Sequence, residues 1–336
     1  MRTPRLPWAG PALAALLTAA DLAAPTEPAA AQARVLVVAG LGGEPEYAER
    51  FRRWGATIAE AARAAPGTAS GDVVFLAEDP GAGEGAADGP SSLEGVEAAL
   101  RELGGGDGPL LVVLIGHGTA DSRGARVNLP GPDLTASALD ELLEGAGAAR
   151  VAVIVASSSS GAFLAPLARA GRVVVTATRS GRERQATRFA AHFAEAFAGG
   201  AADTDKDGRL SLLEAFRYAE AEVARSYEAA GQLQTEHPVL DDDGDGAAGE
   251  SDGSVAARFF LGGARGPADD AAELAGASGP LRELLLERAR IEGEVEALKA
   301  RKDGMQPDAY DAALEALFVR LALNARAIRA ERGESP

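Results

Sequence analysis

Continuous aliphatic runs alternate with helix-spaced segments over the first half of the chain. "RVLVVAG" (34–40), "GDVVFLAED" (71–79), "PLLVVLIGHG" (109–118), "RVAVIVASS" (150–158) and "RVVVTAT" (172–178) carry apolar residues without in-and-out alternation. Such runs suit strands covered on both faces. Between them lie "EPEYAERFRRWGATIAEAARA", "SSLEGVEAALRELGG" and "DLTASALDELLEGAG", each with apolar residues at helical spacing. The second of these opens on a serine N-cap, with Glu94 three residues after Ser91, and ends in glycines. Strand and helix in alternation predict an α/β fold, a three-layer sandwich around a mostly parallel sheet. Function in such a sheet belongs at the carboxyl ends of the strands.

The pattern changes after about Arg184, becoming helical and then acidic through "DTDKDGRLSLLEAFRYAEAEVARSYEAAG" and "LDDDGDGAAGESDG". "ARGPADDAAELAGASG" has the composition of a linker, placed at 263–279. Beyond it, Leu281, Leu284, Arg288, Ile291, Val295 and Leu298 recur at spacings of three and four, as do Leu314, Leu317, Leu321, Asn324 and Ile328. "KDGMQP" separates the two series, and Pro307 is suited to a first helical position. A helical hairpin over 280–332 with a coiled-coil-like seam follows. It carries no chemistry of its own and implies packing or self-association.

Charge narrows the partners. A formal net charge of -17 over 336 residues leaves no basic stripe to release phosphate counterions, so nucleic acid is excluded as a partner. At the N-terminus Arg2 and Arg5 precede a short apolar stretch from Trp8 to Ala20, and Ala31-Gln32-Ala33 forms an A-x-A site. Residues 1–33 read as a signal peptide, the apolar run being too short to span a bilayer. A periplasmic or secreted mature protein without a transmembrane span is expected. With no cysteine in the chain, neither disulfides nor a thiolate nucleophile is available.

Chemistry concentrates at two strand ends. His117 closes one apolar run in "LIGHGT", and four serines close the next in "VASSSSGAF". Adjacent parallel strands would bring a base and a hydroxyl nucleophile together. A histidine beside glycines is equally compatible with a purely structural role. The serine turn itself is not a G-x-S-x-G elbow, and Lys206, Lys299 and Lys302 all lie far from it in sequence.

These two motifs on successive strands resemble the caspase-like cysteine peptidases, in particular the legumain (haemoglobinase) family. The resemblance covers 34–262, with Ser160-Gly161 matching the family's Ser-Gly and Ser158 standing where it has its catalytic cysteine. It implies a caspase-like fold, His117 and Ser158 as the catalytic pair, and Arg179 and Ser180 at the substrate pocket. Guanidinium groups there would favour a carboxylate or amide ligand. The cysteine is replaced, and a serine hydroxyl needs a closely aligned base that sulfur does without. The expectation is therefore a non-catalytic homologue that binds peptide or protein. The alternative is a peptidase-like hydrolase with Ser158 as nucleophile and His117 as base.

The sharpest spacing is "DTDKDGRLSLLE". Asp203, Asp205 and Asp207 fall at positions 1, 3 and 5 of a calcium loop, with Gly208 at 6, the Arg209 carbonyl at 7, Ser211 at 9 and Glu214 at 12. Bound Ca2+ is expected in this EF-hand-like loop, although Gly199-Gly200 interrupts the helix leading into it. "DDDGDGAAGESD" (241–252) repeats the rhythm, either as a second site or as a solvated loop. "GLGGEP" lacks the third glycine of a dinucleotide fingerprint. His117, His192 and His237 offer no close pair for zinc.

Overall fold

A computed structural model describes residues 33–65, 68–82, 85–105, 108–204, 209–249, 251–260, 274–277, 279–299, 301 and 304–332. Residues 1–32 of the segment expected to be a signal peptide, most of the stretch expected to be a linker, and Asp205 and Asp207 lie outside the described residues. The chain forms the expected α/β class. Its central sheet has the order β10 (Val239–Asp241), β9 (Arg172–Thr176), β8 (Val151–Ser157), β4 (Leu110–Gly116), β1 (Arg34–Ala39), β2 (Val73–Ala77), β3 (Gly89–Pro90). Every neighbouring pair is parallel except β10 with β9.

Both faces of the sheet are covered, which explains the uninterrupted apolar runs. Leu111, Val113 and Ile115 of β4 join a cluster with Phe51 and Ile58 of α1 (Pro45–Ala64), Phe193 of α5 (Phe189–Ala198) and Phe216 of α6 (Leu212–Ala229). Leu110, Val112 and Leu114 point the other way, into a cluster with Leu100 of α2 (Leu93–Leu103) and Leu139 of α3 (Ala136–Ala146). Each such side chain, removed from water on either face, contributes roughly 1.5–3 kcal/mol. A polar residue inside β4 would forfeit this on one layer or the other.

Two local features differ from the sequence reading. The N-cap of α2 is Ser92, whose Oγ accepts the Gly95 N–H at 3.2 Å. Ser91 instead donates its N–H to the Ala77 carbonyl at 2.9 Å, extending the β2–β3 pairing by one residue before the helix starts. After His117 the chain does not end its strand region. It turns through a small antiparallel sheet of β5 (Gly118–Asp121), β6 (Gly124–Val127) and β7 (Leu134–Thr135). Asp121 caps that hairpin, and its bond from Arg126 at 3.0 Å helps hold its carboxyl at about 2.

Following β8, α4 (Leu164–Leu167) leads into β9. At the far end of the chain α7 (Gly279–Lys299) and α8 (Pro307–Arg332) pack on each other through Ile291, Val295 and Leu321. Pro307 begins α8, as its position in the sequence predicts. Among the described residues no helix is long and apolar enough to cross a membrane.

Candidate functional site

The register of β4 with β8 sets Gly116 opposite Ser157, so the strand ends carry His117 and the serine turn side by side. Their side chains are nevertheless engaged separately. Ser158 Oγ accepts the Gly118 N–H and donates to the Gly118 carbonyl, each at 3.1 Å. A hydroxyl has a single proton, and here it goes to a backbone oxygen. The residue is 6% exposed.

His117 lies two residues beyond Ile115 and so falls on the α1 face of the sheet. Its ring meets Tyr47 and Phe51 edge-on, at centroid separations of 4.7 and 5.0 Å. Burial holds the imidazole below its ordinary pKa, against a backbone hydrogen bond at Gly42 and the charge of Glu44. His117 and Ser158 make no hydrogen bond to each other.

The other serines have structural work. Ser159 occupies the left-handed region at φ 57, the one described non-glycine residue with positive φ, and its N–H donates to the Glu183 carbonyl at 2.8 Å. Such a conformation costs roughly 1–2 kcal/mol in an L-residue. Ser160 Oγ accepts the Thr178 N–H at 3.1 Å, while the Gly161 N–H donates to Thr178 Oγ1 at 2.9 Å. A Cβ on Gly161 would stand 2.3 Å from the Arg179 carbonyl carbon. Ser160-Gly161 thus lock the turn after β8 against the turn after β9.

That second turn carries the expected pocket residues. Arg179 is exposed and Ser180 half-buried, with Ser180 Oγ accepting the Arg182 N–H at 3.3 Å. The guanidinium groups of Arg179, Arg182 and Arg184 all reach solvent without an ion pair among the described residues. Glu183 faces inward instead. Its carboxylate accepts the N–H groups of Arg179 and His237, at 3.0 and 3.1 Å, and contacts His237 Nδ1 at 2.7 Å. The sequence reading missed this Glu183–His237 pair, because the partners are far apart along the chain and neither lies in a motif.

Glu236, beside His237, is fully buried and accepts the N–H groups of Arg188 and Phe189 at the start of α5. Burial raises its pKa, against those hydrogen bonds. A cavity of ≈ 340 Å³ opens at the carboxyl ends of β1 and β2, lined by Ala39, Gly40, Arg52, Ala77, Glu78 and Asp79 among others.

In the acidic region, α5 ends at Ala198, ahead of the loop that starts at Asp203. The Glu214 carboxylate spans that loop. Oε1 accepts from Thr204 N and Oγ1, both at 2.9 Å, and Oε2 from Ser211 N and Oγ at 3.0 and 2.8 Å. Burial opposes ionisation of Glu214, but these bonds outweigh it and hold the carboxyl below its usual range. Asp203 and Arg209 are half-buried at the two described edges of the loop.

Further on, Asp241, Asp243 and Asp252 each offer a carboxylate oxygen, and the three oxygens lie within 4.8 Å of one another. Burial raises the pKa of Asp241, against N–H bonds from Gly244 and Gly246 and with the charges of Asp252 and Asp243 adding to the rise. The histidines are dispersed: His192 contacts Glu195, His237 contacts Glu183, and His117 sits among aromatic rings.

No model of a known protein family matches the chain, and no curated protein matches it either. Among solved structures it is similar to the crystal structure of the Drosophila initiator caspase Dronc, over 68% of this chain and 84% of that one. The sequence identity is 11% and the TM-score 0.32, a likeness from which nothing follows about activity.

Proposed function

We propose that this chain is a caspase-like peptidase homologue whose nucleophile position has become structural, and that the surface at the ends of β4, β8 and β9 binds acidic peptide or protein segments without cutting them. The two hydrogen bonds of the Ser158 hydroxyl, from the Gly118 N–H and to the Gly118 carbonyl, carry the reading. A serine nucleophile must pass its proton to a base as it attacks. Here the proton is held by a carbonyl, and His117 turns to Tyr47 and Phe51. Freeing the hydroxyl would sacrifice two hydrogen bonds, each worth about 0.5–1.5 kcal/mol, before any chemistry began.

The adjacency of β4 and β8 keeps a second reading open, in which Ser158 and His117 rearrange into a hydrolytic pair when substrate binds. The binding reading draws further support from Arg179, Arg182 and Arg184. They place three guanidinium groups, without an ion pair among the described residues, beside the serine turn of a chain that is otherwise strongly acidic. Carboxylates are their natural ligands.

Ca2+ at Asp203–Glu214 belongs to the same proposal. The supporting spacing is that of Asp203, Asp205, Asp207, Arg209, Ser211 and Glu214, together with a Glu214 carboxylate that already reaches across from position 12 to position 2. Ion binding there would exchange four hydrogen bonds for coordination, which argues for a weak site suited to a calcium-rich compartment outside the cytoplasm.

Fluorescence anisotropy with labelled Asp- and Glu-rich peptides tests the binding function. Saturable binding without cleavage, weakened at least several-fold when Arg179, Arg182 and Arg184 are all replaced by alanine, is expected. Cleavage of the bound peptide, or no binding to any acidic peptide, would overturn it.

A further inference from the structure

Helix α8 carries two apolar faces, and α7 covers one of them. Leu321, Asn324 and Ile328 are buried on the α7 side, and Asn324 Nδ2 donates to the Leu284 carbonyl at 3.0 Å. A shallow groove of ≈ 420 Å³ lined by Leu314, Glu315, Phe318, Val319 and Ala322 runs from the edge of the α7 contact, where Leu314 and Phe318 pack on Ile291, Val295 and Leu321, onto the second face. Val319 is 53% exposed and Leu323 61% exposed. A two-helix hairpin that leaves such a stripe in water has only half of its helix-packing surface satisfied.

The charges along α8 suggest what covers it. Asp308, Asp311 and Glu315 fall in its first half, while Arg320, Arg326, Arg329 and Arg332 fall in its second, with Glu331 as the exception. Glu315, Val319, Ala322 and Arg326 are spaced by four, three and four residues. The two end charges therefore stand about three turns apart on the same side of the helix. Both are exposed, and neither has an ion-pair partner among the described residues. Several other charges of the hairpin are paired within the chain, among them Arg290 with Glu287 and Arg320 with Glu294 at 2.7 Å.

We infer that α8 packs antiparallel against α8 of a second copy of this chain, joining the two hairpins into a four-helix bundle with a two-fold axis between Val319 and Ala322. In that register Val319 meets Ala322 of the other copy, and the exposed Leu323 flanks the contact. Glu315 meets Arg326 at each end, so one stripe complements itself in both shape and charge. A two-fold interface requires that self-complementarity, since the same patch serves both partners. A parallel arrangement would set Glu315 against Glu315 and Arg326 against Arg326, which repel. The interface uses no residue of the β4 and β8 ends, and it stands independently of the binding reading.

Sedimentation equilibrium of the full mature chain is expected to give twice the mass of one chain. Glu315→Arg or Arg326→Glu alone should raise the dimer dissociation constant at least tenfold, and the double exchange should restore it. The charges are exposed, so unchanged circular dichroism would confirm that the single variants remain folded. Orientation is read separately, because the chain contains no cysteine. Under mild oxidation, a mixture of Glu315→Cys and Arg326→Cys chains should form a disulfide-linked dimer, and neither variant should do so alone. A monomeric wild-type chain, or disulfides within Glu315→Cys alone, would overturn the inference.

Discussion

Ser158 and Gly118 are bonded twice, the serine Oγ accepting the glycine N–H and donating to its carbonyl at 3.1 Å in each case. The side chain thereby continues the β4–β8 ladder one step past its last backbone pair, Gly116 with Ser157. Ser158→Ala removes the partner of two part-buried backbone groups. It should cost about 1–3 kcal/mol of stability, read from urea unfolding of the isolated chain. A loss below a few tenths of a kcal/mol would show that water replaces the hydroxyl without penalty.

His117 supplies the pH dependence. Its imidazole titrates below the ordinary value because burial disfavours the charged ring. For a group whose folded pKa is depressed, the stability it contributes is complete above the unfolded value of 6.5 and is lost as pH falls through the folded value. NMR titration of the His117 ring should therefore give a midpoint under 6.5. His117→Gln, neutral throughout, should flatten the fall in stability between pH 7 and the folded midpoint. A midpoint above 6.5 would mean that the ring is not held among Tyr47 and Phe51 as described.

Calcium has a separable signature. Adding millimolar calcium to chelated protein should raise Tm, since an ion that binds only the folded state stabilises it by mass action. Glu214→Gln should abolish most of that increment. The same variant also weakens the capping of α6 by Ser211 and Glu214, so Tm should fall somewhat even without the ion. The calcium-dependent difference is therefore the quantity to read. An equal shift in both proteins would remove Glu214 from the ligands and redirect attention to Asp241, Asp243 and Asp252.

Much of the sheet was legible because its strands are buried on both faces and so form unbroken apolar runs. β5 and β6 escaped notice because "GTADSRGARV" is short of apolar residues, with Val127 its one large buried side chain, and β7 is only Leu134–Thr135. β10 is only Val239–Asp241 and runs straight into the acidic loop. The approach of "GHGT" to the serine turn followed from strand adjacency alone. Which way each hydroxyl points did not, because that depends on individual backbone groups such as Gly118 and the Thr178 N–H. Ser160-Gly161 shows the difference well. The pair reads as part of a catalytic motif, yet its hydrogen bonds and the tight passage of Gly161 against Arg179 give it a packing reason. Glu183 and His237 meet only because β10 returns antiparallel beside β9, a pairing that local periodicity does not record.

The most direct test of the account is labelling of the folded chain with a serine-directed fluorophosphonate, followed by mass spectrometry of its peptides. A hydroxyl whose proton is held by the Gly118 carbonyl, and which is 6% exposed, should acquire no adduct on the timescale in which a serine peptidase labels fully. An adduct on Ser158 that disappears in His117→Ala would contradict the account, because it would show that the two side chains work as a nucleophile and its base.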